Sequence, residues 1–223
     1  MTRAPSALVL LLAAACSAPD YTPARDWART ASLVVAYPAP AATSEDRRDG
    51  IAAMQQALAM YLAALSLMAD DGIPAYREDP FAELAPRAAR ADPAGGAAVA
   101  SLGAMLRRAT LENWQAPDLR NTIAVADPAL QALVTALAGS LRAAAPAPEP
   151  PAPRAAPPVT DPAAARADYI AVVTRIGTGH ALLVASAPRL TDPEVMQRIR
   201  AAEDDLRRAG FALPRPVVLV APS

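Results

Sequence analysis

The chain has 223 residues, 53% of them hydrophobic but only 4% aromatic, with 21 basic residues that are all arginine and a net charge of −1. That near-neutral balance lacks the basic field that nucleic-acid binding requires, and a single cysteine excludes intrachain disulfides and cysteine-built zinc sites. Alanine supplies much of the mean hydropathy of +0.17, so the expected core is a thin one of Leu, Val, Ile and Met in one domain.

The first sixteen residues have the layout of a secretory signal. Arg3 precedes an apolar run from Ala7 to Leu12, followed by Ala13, Ala14 and Ala15 and then Cys16. The apolar core is too short to span a bilayer. A lone cysteine after small residues resembles the lipobox of bacterial lipoproteins, with Ala13 where that pattern usually has leucine. The resemblance covers only the leader; no family is recognised for the rest of the chain. It implies that residues 1–15 are removed and that the Cys16 thiol is lipidated. Ser17, next to it, implies an outer-membrane address facing the periplasm. The other reading is an ordinary signal peptide cut after Ala15, which leaves a free thiol.

Residues 16–43 read as the anchored N-terminus and a tether, with Pro19, Pro23, Pro38 and Pro40 and no evident helical period. Within them the run Leu33, Val34, Val35, Ala36, Tyr37 is compatible with a short strand or a strap on the body. Residues 44–142 are predicted to form the first part of a helical bundle. Ser44 caps a long helix whose stripe is Ile51, Met54, Leu58, Tyr61, Leu65 and Met68, with Gly72 as its stop. A repeated Asp-Pro pair then marks five further helix starts, at Asp79, Asp92, Asp127, Asp161 and Asp192. Asp accepts from free first-turn amides, and proline suits the first helical position. A short helix over 118–126 precedes the start at Asp127.

Residues 143–161 are proline- and alanine-rich and read as an exposed loop or spacer. Residues 162–223 hold two more helices and a tail. One carries Tyr169, Val173, Ile176, His180 and Leu183; the other opens with a Thr191 and Glu194 capping box and stops at Gly210. Two helices rarely bury enough surface alone, so the pair is expected to dock on the earlier helices. In the tail, Val217, Val218, Leu219 and Val220 resemble the 33–37 run and are candidates to pair with it as minor strands. The expected fold is all-α, a single bundle of about six helices, and no stretch after the leader reads as membrane-spanning.

His180 is the only histidine, so any histidine chemistry passes through it. Gly177 and Gly179 flank it at about 1 kcal/mol each against alanine, which calls for a compensating close approach or a ligand pocket. With Tyr169 these residues form the candidate packing or ligand site. There is no Gly-x-Ser-x-Gly elbow, no phosphate loop and no calcium-loop spacing. The acidic runs Asp70, Asp71 and Glu203, Asp204, Asp205 read as solvated faces, as do the arginine pairs. No catalytic residue, metal or cofactor is expected. The leading expectation is a non-enzymatic envelope protein, held to the membrane by lipid on Cys16 and binding a partner protein through a helical face. Two alternatives are a carrier with an apolar-ligand cavity at His180, Gly177 and Gly179, and a hydrolase needing a polar group from another helix beside His180.

Overall fold

The computed structural model describes residues 19–38, 44–76, 78–144 and 162–213. They form seven α-helices and no strand: α1 Thr22–Val35, α2 Glu45–Ala69, α3 Leu84–Ala91, α4 Pro93–Leu111, α5 Leu119–Ala143, α6 Pro162–Ser186 and α7 Pro193–Ala212. Cys16, the loop over 145–161 and the 217–220 run lie outside the described residues. Every helix contributes to one apolar core, which includes Trp27, Leu58, Leu84, Leu102, Leu137, Ile176 and Ile199.

The largest correction concerns the tether. Pro23 sits in the first turn of α1, and Ala24, Trp27, Ala28, Ala31 and Val35 are buried on one face of it. That spacing is helical, but alanines carry most of it, so its apolar contrast is weak. Leu33 points outward while Val35 points inward, and this is why the contiguous run imitates a strand. No strand pairing at 33–37 exists: residues 33–35 are the last turn of α1.

The cap logic holds in part. Ser44 Oγ accepts from the Arg47 amide at 3.3 Å, and Asp92 Oδ1 from the Gly95 amide at 2.8 Å, opening α2 and α4. Asp79 caps a single turn through the Phe81 amide at 2.8 Å, and α3 starts only at Leu84. Asp127-Pro128 opens nothing: α5 runs straight through it. Pro128 has no amide to give the carbonyl of Ala124, yet packing on both sides keeps the helix whole. The Thr191 and Glu194 box does not form either. With Pro193 at the first helical position, the N-cap is Asp192 and Glu194 falls one position short of the box.

The stops differ as well. At the end of α2 the left-handed residue is Asp71 (φ 60°), not Gly72, whose amide closes on the Leu67 carbonyl at 2.9 Å. Asn113 (φ 54°) does the same after α4, with Trp114 N–H on the Ala109 carbonyl at 2.8 Å. Asp and Asn tolerate this conformation better than other side-chain-bearing residues. α7 continues past Gly210 to Ala212.

Side-chain bonds set the helix directions. Ser66 Oγ donates to the Arg25 carbonyl at 3.1 Å and Ser32 Oγ to the Ala59 carbonyl at 3.0 Å, so α1 and α2 are antiparallel. Tyr169 Oη donates to the Val35 carbonyl at 2.6 Å, while Gly179 meets Trp27, so α6 is antiparallel to α1. Thr30 Oγ1 donates to Glu203 Oε1 at 2.9 Å across 173 residues of sequence, seating α7 on α1. By length and composition α2 and the stretches Ala116–Ala143 and Ala163–Arg189 are apolar enough to cross a membrane, contrary to the sequence expectation. Between 44% and 61% of those apolar windows is buried within the bundle.

Candidate functional site

His180 lies at the meeting of α1, α2, α5 and α6 and is fully buried. Its Nδ1 is 2.9 Å from Asp127 Oδ1 and its Nε2 is 2.8 Å from Tyr61 Oη. An ionised carboxylate only accepts, so Nδ1 carries the proton, and Nε2 accepts from the Tyr61 hydroxyl. Gln131, one turn beyond Asp127, donates from Nε2 to Asp127 Oδ1 and to the Gly177 carbonyl, both at 3.0 Å. Four side chains from three helices thus form one satisfied chain: Tyr61, His180, Asp127 and Gln131.

Burial disfavours the charged forms here. It holds the His180 imidazole below the ordinary histidine value, against the opposing pull of Asp127. It also pushes the Tyr61 hydroxyl far above the ordinary tyrosine value, with the charge of Asp127 adding to the shift. Both groups are therefore neutral at pH 7.

The two glycines owe their presence to close packing. A Cβ on Gly179 would lie 2.6 Å from Cζ2 and Nε1 of Trp27. A Cβ on Gly177 would lie 3.1 Å from both Gln131 Oε1 and Val134 Cγ1. The indole of α1 and the Gln131–Val134 wall of α5 thus pack directly on the two glycines, while Gly179 also lines a groove between α6 and α7 with Thr178, Leu182 and Ala202. Tyr169 belongs to a second polar cluster at the other end of the stripe. Gln55 Nε2 donates to Tyr169 Oη at 2.5 Å and to the Tyr37 carbonyl at 3.0 Å, while Tyr169 itself serves the Val35 carbonyl. These bonds satisfy carbonyls left free where α1 ends. The structure therefore brings His180, Gly177 and Gly179 together and sets Tyr169 apart.

The hydrolase reading asks for a polar group beside His180, and Tyr61 and Asp127 both meet that condition. Hydroxyl, imidazole and carboxylate even stand in the order of a nucleophile, its base and an orienting acid. Tyr61 and His180 are nevertheless 0% exposed, and only the edge of Asp127 reaches solvent. Nothing in the sequence marks Tyr61, Asp127, Gln131 or Trp27 as partners of His180; the nearest hint is an Asp-Pro pair inside an unbroken apolar period.

The charged runs are engaged on the surface. Asp70 pairs with Arg25 at 2.9 Å, and Asp205 with Arg175 at 2.8 Å. Glu203 is the exception to the solvated reading: it is buried where α7 seats on α1, accepting from Thr30 and pairing with Arg207. Arg87 holds Asp49 through Nε at 3.0 Å and keeps its carboxyl below the usual carboxylate range. Among the described residues no group of three or more His, Cys, Asp or Glu side chains is placed to hold a metal.

The unusual surface lies on α1. Leu33 is 70% exposed and separates two grooves. One, between α1 and α2, has Leu33, Ala63 and Leu67 within it and Arg25, Arg29 and Asp70 around it. The other, between α1 and α7, is lined by Leu33, Val34, Tyr37, Phe211 and Leu213. Phe211, at 82%, and Leu33 are the most exposed large apolar side chains among the described residues. Compared with protein-family models, with curated proteins and with solved structures, the chain matches none.

Proposed function

We propose that this chain is a lipid-anchored, non-enzymatic protein of the bacterial envelope that faces the periplasm and binds a partner protein through the groove between α1 and α2. The observation that carries the binding reading is Leu33, 70% exposed beside the partly exposed Leu67, with Arg25, Arg29 and Asp70 around them. An apolar centre within a polar rim that includes arginine is the composition of a protein interface. The sealed state of His180 supports the same reading from the other side, since the most reactive side chain in the bundle is engaged inside it. The leader supports the address. With α1 starting at Thr22, only Ser17 to Tyr21 separate Cys16 from the bundle, a leash of at most about 17 Å. An anchored protein therefore stands with the Thr22 end of α1 close to the lipid.

The test places a photo-crosslinking residue at Leu67 in the native envelope, with Ala132 on the exposed face of α5 as the control site. A reproducible protein adduct at position 67, absent at 132, is expected; equal labelling at the two sites overturns the reading. Mass spectrometry of the mature N-terminus checks the anchor, and an unmodified Cys16 thiol removes it.

A further inference from the structure

We propose that the end of the bundle where α1 begins rests on the lipid surface itself, with Ile73 and Leu111 seated among the headgroups. The proposal rests on the anchor at Cys16 and not on the partner groove. Packing identifies which elements share that end. Arg25, in the first turn of α1, pairs with Asp70 just past α2 at 2.9 Å, and Thr122 of α5 donates to Met68 Sδ of α2 at 4.0 Å. Gly95 opens α4 beside Met54 and Ala136, and near the end of α4 Thr110 Oγ1 accepts from the Tyr76 amide at 3.0 Å. Asp70, Leu111 and Arg120 each lie sixteen residues from the Gly95 contact, about 24 Å along the bundle. α2 and α4 therefore finish, and α5 starts, at the level where α1 begins.

At that level stand Leu111, 65% exposed, and Ile73, 39% exposed. Neither lines the two grooves on α1. Val125, half exposed, lies about 8 Å further back along α5. Large apolar side chains grouped in water mark a surface that is covered, and the chain length says by what. Pro19 is exposed and only three residues from Cys16, a reach of about 10 Å. Lipid on Cys16 thus holds this end, and no other, against the bilayer.

Tethering decides the occupant. A surface joined to the membrane by so short a leash meets it at a millimolar effective concentration, so contacts too weak to hold a free protein suffice. The anchor fixes distance, and the apolar side chains fix orientation. Charge contributes little. Arg25 and Arg108 are paired with Asp70 and Glu112, and Arg107 and Arg120 are offset in number by Asp71 and Asp118. This end therefore lacks the polybasic field that anionic headgroups attract. The contact is aliphatic, at the boundary between headgroups and acyl chains, and neutral lipid supports it.

The test uses the chain starting at Cys16, its one thiol coupled to a maleimide lipid in phosphatidylcholine vesicles. A photo-crosslinking residue is placed at Leu111, at Val125 or, as the control, at Ala52, which is exposed and about 27 Å from Asp70 along α2. Lipid adducts should be several-fold more abundant at position 111 than at 52, with 125 between them. Equal yields at 111 and 52, or adducts at 111 mainly to a second copy of the chain, overturn the proposal. High salt should leave the yield at 111 unchanged; a several-fold loss would assign the contact to charge and overturn the apolar seating. As a second measurement, Ile73→Asp should lower the yield at 111 at least two-fold, and an unchanged yield counts against the proposal. Because the lipid is attached chemically, an unmodified native Cys16 and a failed seating are separate results.

Discussion

Around His180 the interior is polar and every group is answered; around Leu33 the surface is apolar and two grooves lie open. The first region holds the residues that carry chemistry in other proteins, a histidine, a carboxylate and a tyrosine hydroxyl, and locks them together beneath Trp27. The second centres on Leu, Val and Phe, with Tyr37 and several charged side chains around them. Burial with full hydrogen bonding marks the first as part of what specifies the fold. Large apolar groups kept in water at a cost mark the second as a surface that something covers. In this chain the reactive residue types point inward and the bland ones outward, into open grooves.

Substitutions that exchange these roles would break the contrast. His180→Ala should have the largest effect. It orphans the Tyr61 hydroxyl and the Asp127 carboxylate and leaves a void, a loss of about 3 kcal/mol in denaturant unfolding. A loss under about 0.5 kcal/mol would mean that the network is not structural. Gly179→Ala comes next, because its methyl must displace a buried indole; about 2 kcal/mol is expected by the same measurement.

Acid sharpens the comparison. Burial lowers the histidine value in the folded state, so the folded state binds that proton less readily than the unfolded chain does. Stability is therefore full above about pH 6.5, the ordinary histidine value, and falls as pH drops below it toward the folded value. Arg87 lowers the Asp49 carboxyl, so its contribution is present above about pH 4 and is lost only below that. A His180→Gln protein should lack the loss that begins near pH 6.5 and keep the one below pH 4, read from melting temperature across pH. The smallest stability effect belongs to Leu33→Asp, at most about 0.5 kcal/mol. Its consequence should appear instead as lost photo-crosslinking at position 67.

The all-α class and much of the bundle were legible because leucine-, valine- and methionine-rich stripes have strong contrast. The α2 stripe from Ile51 to Met68 and the α6 stripe from Tyr169 to Leu183 lie buried as their spacing requires. α1 was not legible, because Ala24, Ala28 and Ala31 bury well and yet barely differ from the alanines that face water elsewhere. The continuity of α5 was hidden by a local rule, Asp-Pro as a helix start, which tertiary packing overrode at Pro128. The candidate site was half visible. His180, Gly177 and Gly179 stand together in sequence, whereas Tyr61 and Asp127 lie 119 and 53 residues from the imidazole they serve. Periodicity places a residue on a face but not opposite a particular partner.

The seating of α7 on α1 has a consequence for how the chain matures. α1 emerges first from the ribosome, yet two of its packing partners, α6 and α7, emerge last. Until they arrive, Trp27 has neither Gly179 to cover nor His180 beside it, and Thr30 has no Glu203. Pairings this distant are slow to form, so the nascent chain carries its bulkiest aromatic side chain unburied for most of its synthesis. A stop codon early in α7 would release a chain whose first helix keeps its bonds to α2 and α6 but loses the Thr30–Glu203 seat.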